Sequence, residues 1–245
     1  MTLKTHSLQL YTVRRHLDED VAGTLAKVAE AGYTAVELYR LEQYRDRYRN
    51  GLKVTGLRAI SAHADLVTGD LDALLTIARE LGVETLIEPR IAQEQWATRT
   101  SIQEAAARLN EVARISLDTG IQVGYHNHHE EMAQIDGRTA LEIFADALDD
   151  DVVLEVDVFW AEVGGVSAAD LLRRLGPRVQ LLHLKDGPRS HELLTQRPLG
   201  QGDIPIGAVL AAAPDAVRIV EFDDYAGDPL AGALESLRYL EEVDL

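Results

Sequence analysis

The sequence predicts a single α/β domain over residues 1–245, folded as a (β/α)8 barrel. Eight short and nearly continuous apolar runs recur along the chain, and such runs are typical of strands buried on both faces of a parallel sheet. Longer stretches with apolar residues at helical spacing separate the runs, which indicates alternating strands and helices. The length of 245 residues matches the roughly 250 residues that one such barrel needs.

The predicted strands and helices follow each other in a regular order. The eight runs are SLQLYT from Ser7, AVELY from Ala35, LRAISAH from Leu57, ETLIEP from Glu84, IQVGYHNH from Ile121, VVLEVDV from Val152, VQLLHLK from Val179 and VRIVEFD from Val217. Three of the intervening stretches end in a glycine, at Gly32, Gly82 and Gly120, where a helix can stop. A fourth, SAADLLRRLG, opens with Ser167, which is a good N-cap residue.

A doubly wound open sheet is the alternative fold. Such a sheet usually has fewer strands and often carries a glycine-rich turn after its first strand, and LYTVRRH has no glycine. The chain contains no linker or low-complexity segment. Its longest irregular stretch, PRSHELLTQRPLGQGDIP, follows the seventh run. The barrel is therefore the preferred prediction.

Composition limits the chemistry and the partners. The chain has no cysteine, so a metal site would need His, Asp or Glu ligands. The net charge of −17 disfavours binding to nucleic-acid backbones. The stretch MTLKTHSLQLYTVRRHLDED lacks the basic start and long apolar run of a signal peptide, and no stretch is apolar for about 18 residues. We therefore expect a soluble, cytoplasmic protein that binds neither nucleic acid nor membrane.

Polar side chains follow the apolar runs, at the barrel end where this fold builds its active sites. Burying an unpaired charge is costly, so a succession of such residues predicts a functional site. In chain order they are Gln9, Tyr11, Glu37, His63, the HNHHEE cluster, Asp157, His183 and Glu221.

The stretch GYHNHHEE, residues 124–131, holds three of the eight histidines and then two carboxylates. Imidazole and carboxylate bind divalent metals and move protons near neutral pH. Strand alternation predicts that His126 and His128 face one way, and that Tyr125, Asn127 and His129 face the other.

Asp157, His183 and Glu221 form a plausible carboxylate–imidazole–carboxylate set. Hard oxygen ligands with one nitrogen suit Mn²⁺, Mg²⁺, Co²⁺ or Zn²⁺. The fifth run should supply a fourth ligand, which the spacing leaves open between Glu131, Glu130 and a histidine.

Several strings resemble the xylose isomerase-like TIM barrels, the sugar phosphate isomerase/epimerase superfamily. They are VDVFWAEVGG, HLKD, PLGQGDIP and VEFDD, and the resemblance covers essentially the whole chain. YHNHHEE resembles a branch with a Tyr-His-Asn-His-x-x-Glu motif, which includes inosose dehydratase-like and 3-keto-sugar-processing proteins.

The resemblance implies one divalent metal held by Asp157, His183, Glu221 and a residue of the fifth strand. That last ligand is often a glutamate at the strand's end, where this chain has Tyr125 and His126. We expect Glu131 to be the fourth ligand, with His126 as the alternative.

The expected reaction begins on a keto-sugar or keto-cyclitol whose adjacent oxygens are bound by the metal. A side-chain base removes the α proton and an enediolate forms. His128 and His126 are the candidate bases, and Lys185 could hold a substrate oxygen or act as an acid. His63, Glu37, Tyr11 and Trp160 are expected to contact the substrate.

The predicted function is therefore a divalent-metal-dependent isomerase or epimerase of a sugar or sugar derivative. One alternative is a lyase that dehydrates a keto-cyclitol or cleaves a 3-keto-glycoside, and another is a non-catalytic sugar-binding barrel. A metal-dependent nuclease is disfavoured by the −17 charge. The resemblance also suggests a homodimer.

Overall fold

The computed structural model describes residues 5–243. Its strands, in chain order, are β1 (His6–Gln9), β2 (Ala35–Leu38), β3 (Arg58–His63), β4 (Thr85–Glu88), β5 (Gln122–His126), β6 (Gln134–Ile135), β7 (Arg138–Thr139), β8 (Val153–Asp157), β9 (Val179–Leu184) and β10 (Val217–Val220). Within these residues, eight strands close a barrel in the order β1-β10-β9-β8-β5-β4-β3-β2. Neighbouring barrel strands are parallel, whereas β6 and β7 form a small antiparallel pair. The predicted (β/α)8 fold is confirmed.

Helices connect the strands. They are α1 (Arg14–Glu19), α2 (Val21–Glu30), α3 (Leu41–Thr55), α4 (Leu71–Leu81), α5 (Arg99–Ser116), α6 (Ala140–Ala147), α7 (Val158–Val163), α8 (Ala168–Leu175), α9 (Ile206–Ala212) and α10 (Pro229–Val243). Gly82 ends α4 in a left-handed conformation with φ of 73°, which glycine adopts without strain. Ser167 caps α8 by accepting a hydrogen bond from the Asp170 amide. None of the helices in residues 5–243 is long and apolar enough to cross a bilayer.

A small apolar layer fills the inside of the barrel. It consists of Ile87, Val153, Leu181 and Ile219, all at most 5% exposed. Gly124 of β5 lies against this layer, because a Cβ atom at Gly124 would be 2.6 Å from Ile87 Cδ1. A larger core lies between the strands and the surrounding helices. The polar residues at the strand ends therefore lie next to an apolar layer that excludes water, where interactions between charges are strong.

The irregular stretch after β9 is wound around the carboxylate of Asp186. This buried carboxylate accepts backbone hydrogen bonds from Gly187 at 2.8 Å, Gly200 at 2.8 Å and Ile204 at 3.1 Å. A Cβ atom at Gly202 would lie 2.1 Å from the Gly187 nitrogen. The loop thus needs glycine at position 202 for its own close packing.

Candidate metal and substrate site

A cavity of about 680 Å³ opens at the carboxyl ends of the barrel strands. Its lining includes Tyr11, Tyr39, His63, Arg90, His126, His128, His129, Trp160, His191, Glu221 and Asp223. This is the end of the barrel at which the sequence predicts the site.

Strand alternation brings polar side chains into the barrel in pairs two residues apart. His126 ends β5, and Glu155 and Asp157 are on β8. Tyr125 faces outward, where its ring packs against Phe144 at 4.9 Å and Trp96 at 5.6 Å between the centroids. The predicted division of Tyr125 and His126 between the two faces is what the fold requires.

Four buried groups from β5, β8, β9 and the end of β10 converge in one place. They are His126, Asp157, His183 and Glu221, and one donor atom from each lies within 4.8 Å of the others. His183 Nδ1 is 2.8 Å from Glu221 Oε2, and His126 Nε2 is 3.8 Å from Asp157 Oδ2. The sequence predicts three of these residues as metal ligands, and His126 as the alternative fourth.

The donor set fits a divalent metal. Two imidazoles and two carboxylates are ligands that Zn²⁺, Co²⁺ and Mn²⁺ accept. Asp157 Oδ2 is buried and pairs with Lys185 Nζ at 2.8 Å. The same ammonium group also pairs with Glu221 and Asp223, so one positive charge is shared by three carboxylates, and a further cation would stabilise them.

Glu131, the expected fourth ligand, lies outside this group. Its Oε1 accepts a hydrogen bond from the Tyr125 hydroxyl at 2.5 Å, and its Oε2 accepts one from the His128 amide at 3.0 Å. Burial raises the pKa of Glu131 to about 7. Strand alternation turns Tyr125 outward. Glu131 hydrogen-bonds to this outward side chain and to the backbone of the turn after β5, so it points away from the four converging residues. His126 takes the place expected for Glu131.

Glu155 has a central position that the sequence analysis missed. Its Oε2 lies 2.7 Å from His63 Nε2, 3.0 Å from His126 Nδ1 and 3.1 Å from His183 Nε2. These four residues form a second convergent group within 4.8 Å. A signal was present, since a carboxylate two residues before Asp157 in the apolar run VLEVD must face the same side of the strand.

Glu37 lies beside His183 and is absent from the cavity lining, so it does not sit where a substrate contact was expected. Its Oε1 is 2.6 Å from His183 Nε2 and accepts a hydrogen bond from Gln9 Nε2 at 2.7 Å. Burial alone would raise the pKa of Glu37, but the nearby His63 and His183 imidazoles lower it to about 2. Glu37 therefore supports His183 as an ionised carboxylate.

Lys185 is fully buried among carboxylates. Its Nζ lies 2.6 Å from Glu221 Oε2, 2.8 Å from Asp157 Oδ2 and 2.9 Å from Asp223 Oδ2. Burial favours the neutral amine, but the three carboxylates overcome it and hold the Lys185 pKa well above its usual value. Lys185 is thus a permanent positive charge beside two of the four candidate metal ligands.

His128 is a neutral imidazole on the cavity wall. Burial, with the charge of Lys185 adding to it, lowers the pKa of His128 to about 4. Its Nδ1 is buried and has no hydrogen-bond partner. By contrast, His126 Nδ1 contacts Glu155 and its Nε2 faces Asp157. Of the two candidate bases, His128 is the one with a free nitrogen.

Three of the four residues expected to contact the substrate line the cavity: Tyr11, His63 and Trp160. The Tyr11 ring packs edge-on against Tyr39 with 5.6 Å between centroids. The Trp160 indole Nε1 is buried without a partner. Aromatic faces beside the polar groups of the cavity wall are suited to a ligand that has both C–H and hydroxyl surfaces.

Residues 25–243 match the sequence profile of the xylose isomerase-like TIM barrel family. The chain therefore belongs to this family, as its motifs predict. No curated protein is significantly similar to the chain in sequence.

Several solved structures have the same fold. A sugar phosphate isomerase/epimerase from Parabacteroides distasonis is 24% identical, with 98% of this chain and 94% of that chain covered and a TM-score of 0.79. The IolI protein with a bound zinc atom is 16% identical, with 98% and 97% covered and a TM-score of 0.76. The probable 3-DHS dehydratase AsbF from Bacillus anthracis is 13% identical, with 97% and 98% covered and a TM-score of 0.75.

Proposed function

We propose that this protein is a divalent-metal-dependent isomerase or epimerase of a sugar or sugar derivative. One observation carries the proposal: four buried donors from four adjacent barrel strands converge at the carboxyl ends of the strands. Two of them, His126 and Glu221, also line the cavity. A metal held there would be accessible to a small molecule in the cavity.

The metal would be held by His126, Asp157, His183 and Glu221. Two imidazole nitrogens favour Zn²⁺, Co²⁺ or Mn²⁺ over Mg²⁺, which prefers oxygen. The zinc in the IolI structure supports the same class of ion. When bound, such an ion polarises a substrate carbonyl and makes the adjacent C–H more acidic. We now assign His126 to the ion rather than to proton transfer, because both of its nitrogens face carboxylates.

His128 is the proposed base. The neutral His128 ring lines the cavity and would take the proton from the carbon next to the carbonyl, giving an enediolate. Return of that proton to the neighbouring carbon, with the hydroxyl proton moving from one oxygen to the other, isomerises the sugar. Protonation of the original carbon by a donor on the opposite face epimerises it. Proton transfer by a positioned imidazole contributes about 10²–10⁴-fold to a rate.

Most of the remaining residues would bind and orient the substrate. Lys185 is absent from the cavity lining, so it would balance the charge of Asp157 and Glu221 rather than bind a substrate oxygen or donate a proton. His63 would contact the sugar from the opposite side of the cavity. Tyr11 and Trp160 would supply the aromatic walls. Positioning of this kind is a large part of catalysis by enzymes that bind small polar substrates.

A lyase or dehydratase is the second candidate. An epimerase that uses two carboxylates, one on each side of the substrate carbon, would need Asp or Glu at the end of β5. This chain has His126 there, which favours the lyase. One residue is enough for dehydration: His128 takes the α proton, the bond from the β-carbon to its hydroxyl breaks, and the protonated His128 returns that proton to the hydroxyl, which leaves as water. The fold neighbour named as a probable dehydratase agrees with this reading.

The first test is the metal content of the wild type and of His183→Ala, after chelation and reloading. We expect one Zn, Co or Mn ion per wild-type chain and its loss from the variant. The loaded wild type is then incubated in D2O with keto-sugars, keto-cyclitols and 3-keto-glycosides. Deuterium incorporation into an isomer supports isomerase or epimerase activity, and an unsaturated product supports the lyase. A wild type without stoichiometric metal under any loading would contradict the metal-dependent reaction and favour a sugar-binding barrel.

A further inference from the structure

We propose that Glu37 and Glu155 are positioning residues that fix His183 and His126 in opposite tautomers, so that each ring presents an unprotonated nitrogen to the metal. This inference rests on the proposed function, because it concerns the same ion. Neither carboxylate is itself a member of the proposed ligand set. Both are fully buried.

For His126, the contacts assign the proton to Nδ1. Glu155 Oε2 lies 3.0 Å from Nδ1, and the same oxygen is 2.7 Å from His63 Nε2 and 3.1 Å from His183 Nε2, so its position is that of an acceptor of ring N–H groups. A neutral imidazole carries one N–H, so the lone pair is on Nε2. That nitrogen faces Asp157 Oδ2 at 3.8 Å, which is the ligand side of the ring.

For His183, both ring nitrogens face a carboxylate, and membership of the proposed ligand set decides between them. Glu37 Oε1 is 2.6 Å from Nε2, while Nδ1 is 2.8 Å from Glu221 Oε2. Gln9 Nε2 donates to the same Glu37 oxygen at 2.7 Å, which holds the carboxylate in place as an acceptor. Glu221 belongs to the convergent donor group and Glu37 does not, so with the ion bound Nδ1 would turn its lone pair to the ion and Nε2 would keep its proton for Glu37. A ligating imidazole whose other N–H is bound to a carboxylate is also a stronger ligand.

The other convergent group, His63, His126, Glu155 and His183, would need the opposite nitrogens of both rings. A neutral imidazole has one lone pair, so a single ion takes one set or the other. The contact of Glu37 with His183 Nε2 at 2.6 Å favours the set that uses Nδ1. His63 then remains a neighbour of Glu155 and not a ligand.

The tautomers can be read directly in the wild type. The protein, labelled with ¹⁵N-histidine and loaded with Zn²⁺, is examined by long-range ¹H–¹⁵N correlation spectra. We expect His126 to carry its proton on Nδ1 and His183 to carry its proton on Nε2. The same tautomer in both rings, or the reverse assignment, would overturn the proposal. The spectra are recorded on the wild type, so the result does not depend on whether a variant folds.

Metal affinity tests the carboxylates. We expect Glu37→Gln and Glu155→Gln to bind Zn²⁺ or Co²⁺ about 10–100-fold more weakly. The matched control is Glu88→Gln, since Glu88 is also a buried carboxylate at a strand end but accepts from the Leu66 and Val67 amides at 2.8 and 2.9 Å. Its substitution should leave the dissociation constant within about twofold. If Glu37→Gln and Glu155→Gln bound the ion as tightly as the Glu88→Gln control, the positioning role would be contradicted.

Rescue separates positioning from a general structural role. In the Glu155→Gln background, the additional change His126→Glu puts a carboxylate in the ligand set and makes the imidazole's partner unnecessary. We expect this double variant to recover most of the lost affinity. No recovery would mean that Glu155 acts through contacts other than His126 and would overturn its positioning role.

The outcomes also distinguish this proposal from the one on which it rests. A wild type that binds no ion rejects the proposed metal-dependent function. A wild type that binds one ion, together with Gln variants that bind equally well, rejects only the positioning role. Loss of the ion in His63→Gln to the same degree as in Glu155→Gln would overturn the tautomer assignment and place the ion in the alternative donor set.

Discussion

At the residue scale, His128 is the side chain whose removal should stop proton transfer without removing the ion. It lines the cavity, and its buried Nδ1 has no partner. We expect His128→Gln to lower kcat by about 10²–10⁴-fold and to keep the wild-type metal content, once a substrate has been found. His16→Gln, in helix α1 and away from the cavity lining, is the control. A variant that lost both activity and metal would identify His128 as part of the ligand set instead.

Glu131 should give the protein a measurable pH dependence of stability. Its carboxyl has a pKa of about 7 in the native protein against 4.5 as the reference value. Between these pH values the native state holds a proton that the unfolded chain has lost, so stability falls as pH rises from 4.5 to 7. The carboxyl contributes about 2–3 kcal/mol to this fall, at 1.36 kcal/mol per pKa unit.

Urea unfolding at pH 4.5 and pH 7, in the presence of a chelator, measures this contribution. Glu131→Gln cannot ionise, and its side-chain oxygen can still accept one of the two hydrogen bonds. We expect the stability difference between the two pH values to shrink in the variant. An equal pH dependence in the wild type and the variant would show that burial of Glu131 is not its source.

At the scale of elements, the loop after β9 depends on close packing at Gly202. A methyl group there would lie 2.1 Å from the Gly187 nitrogen and 2.2 Å from Asp186 Oδ1. The loop also reaches the site, since Gln196 Nε2 donates to Asp223 Oδ2 at 2.7 Å. We expect Gly202→Ala to destabilise the protein by about 1–3 kcal/mol, measured by urea unfolding.

Gly207 supplies the matched control. It lies in helix α9, and a Cβ atom there would meet nothing within 4 Å. Alanine is the better helix former by about 1 kcal/mol, so Gly207→Ala should leave stability unchanged or raise it. Equal losses in the two variants would argue against the packing explanation for Gly202.

At the scale of the whole molecule, the metal should join the separate strands into a more stable barrel. The proposed ligands come from strands far apart in sequence, and an ion that binds only the native state stabilises it by mass action. At 100 times the dissociation constant the gain is about 2.7 kcal/mol, or about 5–10 °C in Tm for a chain of this size.

Calorimetry with chelator and then with excess Zn²⁺ measures this shift. Asp157→Asn should show a much smaller metal-dependent shift than the wild type, whatever its own Tm. An equal shift in both proteins would mean that the stabilising ion binds elsewhere.

The sequence by itself determined the barrel and most of the candidate site. Apolar runs and helical stretches fix the order of elements, because these patterns are local and set by burial. Alternation within a strand likewise put His126 and Tyr125 on opposite faces. Asp157, His183 and Glu221 could be chosen because residues at the carboxyl ends of parallel strands meet at one end of a closed barrel.

Only the tertiary structure decided which neighbours those residues have. His183 contacts Glu37 across 146 positions of sequence, and His63 contacts Glu155 across 92. Such contacts depend on the register of paired strands and on barrel closure, which no local pattern encodes. For the same reason, no local pattern predicted that the turn after β5 places Glu131 outside the proposed ligand set. Strand direction predicts where a side chain starts, whereas the packing of distant strands determines which atoms it meets.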